Sequence, residues 1–560
     1  MNTIALKTAF LVLALALSCA PAIAKTKDVS LVLQLTVDQL RGDLPLRFEK
    51  RFGKGGFRRF LDEGAYYTNA HYIHADTETA PGHATLATGG APAQHGITNS
   101  EWWDYKLGKT VYAVEDGRYP ILDKDAVSTS GTSSLEKGRS PENLLSTTIG
   151  DEIVLASGGK ALAIAISGKD RAAILPGGKC GQAYWLSRGL FINSTFYNKQ
   201  LPDWVREWNE SGHADAYKAR SWTLLQDRGL YERLDIDKRS YEGFYKHLGG
   251  TLPKKYAAAT DLDFYNGLLR SPVGDELVLS FARQAIKSLA LGKRGVTDYL
   301  SVSFSSTDYV GHLWGVGSLE AEDNLMRVDR NLASLLDYVD RELGLNKVLV
   351  VLSADHGVSE IAESLLERGI PAGRIPTREF KKFVNRRLSD KYKVKGSLLK
   401  SVTYPYIYLD VDAIKAEGLS LEEVEDECAG AAMEYPGILY AVGRSRILKG
   451  ENLNNKPYSS RIVNNFHPRR SGHVHVVTDQ YYMFGKHKTT EPGEHGSVWS
   501  YDTYVPVAFL GARVESGRFS RLIGPQDIAP TLANYLGIKP PSGCIGSVLR
   551  EVVGDKTKAK

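Results

Sequence analysis

The sequence predicts an α/β protein built on a central, mostly parallel sheet flanked by helices. Three observations predict it. Strand-like and helix-like segments alternate along much of the chain, the signature of βαβ units. Apolar runs at Val29–Val37, Tyr299–Phe304 and Val348–Leu352 have the length and continuity of strands buried on both faces. Each run is followed at once by a polar cluster: Asp38 after the first, Asp308 and His312 after the second, Asp355 and His356 after the third. In an open α/β sheet the carboxyl ends of the strands converge on one crevice. These acids and imidazoles are therefore expected to meet in one site, and their donor types suit Zn²⁺ or a similar divalent ion.

The elements follow in chain order. Lys7 precedes an apolar stretch, Ala9–Leu17, and Ala22-Ile23-Ala24 has the small-x-small pattern of a leader cleavage site. We expect cleavage after Ala24, with residues 1–24 a signal peptide and residues 25–560 the mature, periplasmic or secreted chain. Cys19, preceded by small residues, offers a lipoprotein alternative; Ala16, where a Leu is usual, counts against it. Helices are expected at Glu142–Ala156, Asp275–Leu291 and Leu319–Leu343, and a strand at Lys160–Ser167. In the longest helix Leu325, Val328, Leu332, Leu335 and Val339 recur at helical spacing. The stretch Pro371–Asn465 breaks the rhythm, mixing basic helical pieces with β-like ones such as Val402–Leu409, and reads as an insertion or cap.

Composition sets the outer bounds. With 560 residues, 42% hydrophobic and 24% charged, the chain can bury a large core. A net charge of +5 without a basic tract gives little reason to expect a stable nucleic-acid partner. Only Asp555–Lys560 is a charge run, read as a solvated end. No run reads as transmembrane. Cleavage would leave Cys180, Cys428 and Cys544, an odd number, so free thiols or a single pair are the readings open.

A nucleophile candidate lies in T-E-T-A-P-G-H-A-T-L-A-T-G, residues 77–89. Pro81-Gly82 is expected to make a sharp turn leading into a helix. Thr79 would then sit at a helix N-terminus, where backbone N–H groups favour an anion. Spacing alone leaves Thr79 open between a nucleophile and an N-cap and favours the cap. His83 and His95 are read as serving structure or hydrogen bonding, and His71 and His74 as packed. His467, His473 and His475 could gather around a metal, but no carboxylate is interleaved with them.

Taken together, Asp38 after a strand, T-x-P-G-H at 79–83, T-D-x-x-G-H at 307–312, A-D-H-G at 354–357, G-E-H-G at 493–496 and the string 526–541 resemble the alkaline phosphatase superfamily. The resemblance spans roughly residues 29–550 and is to the bacterial alkaline phosphatases with a threonine nucleophile, the PafA/PhoK-like branch. It implies an alkaline-phosphatase-like sheet with a cap, two Zn²⁺ ions and hydrolysis of small phosphate monoesters through a phosphothreonine intermediate, in a chain we expect to be a monomer. Carried over by motif, it implies that Asp308, His312 and His495 hold one zinc. Asp38, Asp355, His356 and the Thr79 oxygen hold the other. Lys169 and Arg171, in S-G-K-D-R, resemble the family's phosphate-gripping Lys-x-Arg pair. A sulfatase is excluded, since Thr79-Ala80-Pro81-Gly82 lacks its Cys/Ser-x-Pro-x-Arg pattern. The family also places a phosphate-contacting Asn two residues before an aromatic pair. Here Ser100 holds that position before Trp102-Trp103 and Asn99 lies one earlier, so either is a candidate. The rival readings are a phosphodiesterase or nucleotide pyrophosphatase of the same superfamily and a noncatalytic exported metal- or phosphate-binding protein.

Overall fold

The structure, a computed structural model, describes residues 29–554 apart from 123–137, 234–236, 452, 454–457 and 486–490. The expected leader and the charged tail lie outside the described residues. No described helix is long and apolar enough to cross a membrane.

The main sheet has nine strands. In chain order they are β1 (Leu31–Val37), β2 (Ala65–His71), β3 (Ala163–Ser167), β4 (Gln182–Ser187), β5 (Leu190–Ile192), β6 (Asp298–Phe304), β7 (Val348–Ser353) and, after the four strands introduced below, β12 (Tyr504–Gly511) and β13 (Gly517–Phe519). Their spatial order is β13-β2-β12-β7-β1-β6-β3-β4-β5. The five from β7 to β4 are parallel, with antiparallel pairing where β12 meets β7 and where β5 meets β4.

Side chains along the parallel strands alternate between two cores. Leu31, Leu33, Leu35, Leu300, Val302, Val348 and Val350 pack on one face. Val32, Tyr299, Leu349 and Val351 pack on the other. A strand that must bury both its faces favours apolar side chains, which is why these runs are mostly apolar, although Gln34 and Thr36 of β1 and Ser301 and Ser303 of β6 are buried within them.

Nine helices carry the argument: α1 (Thr79–Thr88), α2 (Ile149–Ala156), α3 (Asp170–Gly177), α4 (Val273–Ser288), α5 (Ser306–Trp314), α6 (Leu319–Leu343), α7 (Thr377–Tyr392), α8 (Leu421–Met433) and α9 (Ile528–Leu536). Leu277 and Phe281 of α4 and Leu332 and Leu336 of α6 cover the first face. Ile149 and Ile153 of α2 and Ile528 and Leu532 of α9 cover the second. Helix α6 has the limits its periodicity predicts, because the Ser318 side chain caps it by accepting from Ala321 N and Gly344 ends it at φ +79°. Helix α2 starts later than expected. Thr148 and Asp151 form a reciprocal capping box that fixes the first turn at Ile149, and residues 142–148 stay outside it.

The stretch between β7 and β12 builds a second, antiparallel sheet from β8 (Leu399–Thr403), β9 (Tyr406–Leu409), β10 (Ile438–Gly443) and β11 (Val474–Thr478), in the order β8-β9-β11-β10. It takes in β11, downstream of residue 465, and what reads as one β-like piece at 402–409 is a hairpin turning at Tyr404-Pro405. Phe380, Val384 and Leu388 of α7 and Val424, Cys428 and Ala432 of α8 cover one face. On the other face, Tyr406 and Tyr408 join Ala80 and Ala84 of α1 and Trp102 in a shared core. The insertion is thereby seated on the segment that carries Thr79. Among the described residues the cysteines are free thiols, of which Cys428 is buried and Cys180 exposed.

Candidate active site and metal centre

The residues singled out by sequence meet at the carboxyl ends of the parallel strands. Asp38 follows β1. Asp355 and His356 follow β7. Asp308 and His312 lie one turn apart on α5, which follows β6 and so turns both toward the same face. Helix α5 is seated by Asp275, whose Oδ1 accepts from Ser305 N at 2.8 Å and Ser306 N at 3.0 Å.

Thr79 is the first residue of α1 and is 2% exposed. Pro81-Gly82 does not make the sharp turn expected of it; both residues lie within the first turn of the helix. Proline is tolerated there because the N–H it lacks has no intrahelical partner. Gly82 is required by contact, since a Cβ at that position would stand 2.0 Å from the Asp355 carbonyl oxygen. The absent side chain lets α1 press against the end of β7 and brings Thr79 to the acids.

Two groups of side chains converge tightly enough to hold a cation. The ligand atoms of Asp38, Asp355 and His356 all lie within 4.8 Å of one another, and so do those of Asp308, His356 and His495. His312 stands beside the second group, with Nε2 3.3 Å from Asp308 Oδ1. His356 is thus shared by both groups, where motif resemblance assigns it to one only. The rings of His356 and His495 stack with centroids 3.8 Å apart.

The hydrogen-bond pattern suits the imidazoles to metal binding. Nδ1 of His312, His356 and His495 each faces a backbone carbonyl: Gly493 at 2.6 Å, Gly357 at 2.9 Å and Thr77 at 2.9 Å. A carbonyl only accepts, so Nδ1 donates in each ring and Nε2 is the nitrogen turned toward the carboxylates. The Nε2 of His356 and Oδ1 of Asp38 are buried without a hydrogen bond. Asp355 Oδ2 is in the same state. His83 Nδ1 is 3.1 Å from it but gives its hydrogen to Thr79 O at 2.9 Å. Three buried carboxylates face one ammonium, Lys169, whose Nζ lies 2.6 Å from Asp38 Oδ2 and 2.5 Å from Asp308 Oδ2. Carboxylates crowded together in a dry site repel one another, a cost that a bound cation relieves. The donor set therefore fits divalent metal.

Protonation reflects this crowding. Burial, with Asp355 alongside, pushes the Asp38 carboxyl well above its ordinary range. Burial also acts against the Asp308 carboxylate, but His312 and Lys169 outweigh it and hold Asp308 well down. Burial disfavours charge on His312, yet Asp308 more than compensates and brings it up to about 10. His356 is pulled down to about 3 by burial, which keeps it neutral.

Lys169 and Arg171 both approach Thr79. Lys169 Nζ and Arg171 Nη2 each lie 3.4 Å from Thr79 Oγ1. Lys169 caps the start of α3 and Arg171 is in its first turn, so the close of β3 delivers both. A cleft of about 280 Å³ opens here, lined by Thr79, Asn99, Ser100, Tyr112, Arg171 and His495 among others. Both Asn99 and Ser100 reach it. The Asn99 amide is committed elsewhere, donating to Tyr404 O at 2.8 Å and accepting from Glu101 N at 2.8 Å. Ser100 N donates to Glu78 Oε2 at 3.2 Å.

One contributor escapes the sequence reading. Gln39, at φ +68°, donates from Nε2 to Asp308 Oδ1 at 2.8 Å and from its backbone N to Asp355 Oδ1 at 3.1 Å, linking the two groups. Only its place beside Asp38 could have marked it. His83, expected to serve hydrogen bonding, bonds Thr79 O and also faces Asp355; its spacing one turn after Thr79 was the available sign. The other histidines singled out by sequence are engaged in packing and hydrogen bonds, His467 Nδ1 accepting from Arg469 N at 3.3 Å. His71 bonds Thr503 Oγ1 at 3.0 Å and stacks on Tyr504. His74 packs on Tyr72 and His475 on Tyr406. His95 bonds Thr85, and His473 bonds Tyr105.

Residues 32–498 match the family described as type I phosphodiesterase / nucleotide pyrophosphatase. The chain belongs to this family, within the alkaline phosphatase superfamily. It is 34% identical over 535 residues to alkaline phosphatase PafA of Elizabethkingia meningoseptica, covering 94% of each chain. It is also 34% identical to alkaline phosphatase PhoV of Synechococcus elongatus, covering 93% of this chain and 92% of that one. The crystal structure of wild-type PafA superposes with a TM-score of 0.86 at 32% identity, covering 94% of this chain and 99% of that one. The family thus includes both the phosphodiesterases of its description and relatives named alkaline phosphatases, and the decision between these activities falls to the site.

Proposed function

We propose that the protein is an exported, two-zinc alkaline phosphatase that hydrolyses small phosphate monoesters through a phosphothreonine at Thr79. The observation that carries this reading is the position of Thr79 Oγ1. Two cations, Lys169 and Arg171, each lie 3.4 Å from it, and Lys169 also contacts Asp38 and Asp308 of the metal-type ligand groups. The relatives named alkaline phosphatases, alike over nearly the full length, support the same reading. We assign one zinc to Asp308, His312 and His495 and the other to Asp38, Asp355, His356 and Thr79, with His356 close to both groups.

When bound, the two ions supply Lewis acidity, making the threonine hydroxyl and later a water acidic and neutralising charge on the departing oxygen. The chain's own residues do the rest. Thr79 Oγ attacks phosphorus as the ester's alcohol leaves, and water then cleaves the phosphothreonine to release phosphate. Arg171 and Lys169 hold the nonbridging oxygens, Arg171 with a fork and Lys169 as a point charge. A monoester carries one more negative charge than a diester, so two cations at this spot favour the monoester. Asn99 and Ser100 add polar contacts at the cleft wall. Residues 1–24 are a leader cleaved after Ala24, and residues 25–560 act as one catalytic unit, working as a monomer in the periplasm or outside the cell. The 371–465 region is an insertion that steadies the nucleophile segment.

The test is turnover of matched aryl monoester and diester substrates by chelator-stripped protein, with and without restored zinc. The expected result is zinc-dependent hydrolysis with a strong monoester preference. A diester preference would move the protein to the phosphodiesterase reading, and no turnover of either ester would leave only a binding role.

A further inference from the structure

Arg171 can grip a phosphoryl group only if its guanidinium is held in place, and a buried chain of polar side chains outside the metal groups does this. Tyr112 ends a short strand, Lys109–Tyr112, that pairs antiparallel with Glu101–Asp104 directly after Ser100. The hairpin folds Tyr112 back under the cleft, where it is 2% exposed. Its Oη donates to Asp170 Oδ1 at 2.6 Å and accepts from Arg171 Nη1 at 3.2 Å. Asp170 in turn takes the Arg171 backbone N–H on Oδ1 at 2.7 Å and Arg139 Nε on Oδ2 at 2.7 Å. Asp170 and Arg139 are 5% and 0% exposed. Arg139 also lies over the Tyr112 ring, 5.1 Å from its centroid.

The roles in this chain are directional. A carboxylate only accepts, so Asp170 draws the Tyr112 hydroxyl hydrogen to itself and turns a lone pair toward Arg171. That lone pair takes Nη1, which leaves Nη2 facing Thr79 Oγ1. Arg139 keeps Asp170 ionised in the interior: burial pushes the Asp170 carboxyl up, but Arg139 and Arg171 outweigh it and hold it below its usual range.

We propose that Tyr112, oriented by Asp170 and Arg139, is a positioning residue that sets the phosphate-binding arm of Arg171 and so contributes to the choice of monoester over diester. Neither a packing role nor a core polar pair alone would require the hydroxyl to be shared between Asp170 and the one guanidinium that faces the nucleophile. The inference rests on the proposed role of Arg171 at the phosphoryl group.

The test uses the zinc-loaded protein and a cycle of Tyr112→Phe, Arg171→Ala and the double variant, with kcat/KM for an aryl monoester and a diester and inhibition by inorganic phosphate as readouts. Tyr112→Phe removes one oxygen, and its melting temperature relative to wild type reports whether the fold is kept. Small misplacements of a binding group cost about ten- to a hundredfold, so Tyr112→Phe should lower monoester kcat/KM by about tenfold or more and weaken phosphate inhibition in parallel. Diester turnover should fall less. In the Arg171→Ala background the same change should cost less than about twofold, because there is no arm left to set. The same loss in both backgrounds would show that Tyr112 acts on substrate independently and would overturn the inference, as would a Tyr112→Phe variant of wild-type activity. A silent Arg171→Ala would instead remove the phosphate-binding reading of Arg171 itself, and this inference with it. Asp170→Asn should reproduce the Tyr112→Phe pattern in weaker form.

Discussion

The two sheets of this molecule are made differently, and the site draws on them differently. Strands β1, β6 and β7 are buried along their whole length, and each ends in side chains that face the cation groups. In the insertion, β8 carries an exposed Lys400 and half-buried Ser401, Val402 and Thr403, and β10 an exposed Leu439. One face of that sheet covers α7 and α8, and parts of its strands meet solvent. Its reach to the cleft is indirect, through Tyr406 and Tyr408 against α1 and the Tyr404 carbonyl on Asn99. The central sheet gathers the candidate site because its strand ends converge. The insertion packs against the segment that carries Thr79.

That contrast is sharpest at Thr79, delivered to the central sheet by α1. Thr79→Ala should reduce monoester turnover by a factor on the order of 10⁴ or more while zinc content stays near wild type, since loss of a covalent nucleophile is among the costliest single changes. Thr79→Ser should keep part of the activity. Metal analysis beside steady-state kinetics checks both, and full activity in Thr79→Ala would detach α1 from the chemistry.

Ligands at the strand ends should tie metal to fold. In His495→Ala or Asp38→Asn, bound zinc and activity should fall together. The removed charge partner should also cost stability, about 3–5 kcal/mol where a buried ionic contact is broken. Metal content and the unfolding midpoint report this, and a His495→Ala protein that still holds two zinc ions would take the 491–498 loop out of the centre.

Loss of the phosphate-side cations should cost less. Arg171→Ala should lower monoester kcat/KM by roughly ten- to a hundredfold, the worth of a charged hydrogen bond of about 1.5–3 kcal/mol, and lower diester turnover less. Paired substrate assays check the ratio; equal losses on both esters would make the residue structural.

An effect absent near neutral pH and growing only in acid is expected in the insertion. His475, on β11, is 1% exposed and packs on Tyr406, and burial brings it down to about 3 from 6.5. Its folded pKa lies below its unfolded one. Below pH 6.5 the unfolded chain therefore takes up a proton that the folded chain refuses. Its contribution is intact above pH 6.5 and is lost as pH falls toward about 3, at up to ~1.4 kcal/mol per pH unit. His475→Phe should keep stability at pH 8 and flatten the acid-induced loss by up to one proton. Unfolding curves over pH 4–8 measure it, and an unchanged slope would place the acid sensitivity in the central site.

The same contrast explains what could be read from sequence. A strand buried on both faces ends where polarity begins, so Asp38, Asp308 and Asp355 were legible at once, and α6 was bounded by Ser318 and Gly344 at its expected limits. Elsewhere the determining contacts are distant in sequence. Pro81-Gly82 reads as a turn because nothing local shows that the Asp355 backbone passes 2.0 Å from where a Cβ would stand. The Asn99 amide is claimed by Tyr404, and the side chain of Arg171 by Tyr112, partners that only the packing of the hairpin and the insertion against α1 and α3 brings near. Gln39 bridges both ligand groups through a positive φ that its residue type does not announce.

The central claim is that phosphorus is attacked twice, first by Thr79 and then by the acceptor. Each in-line displacement inverts phosphorus, so the stereochemical course counts the steps. The measurement is phosphoryl transfer from an aryl monoester made chiral at phosphorus with oxygen isotopes to an alcohol acceptor, catalysed by the zinc-loaded protein. Retention of configuration is the predicted result. Inversion would mean a single direct displacement and would contradict a phosphothreonine at Thr79.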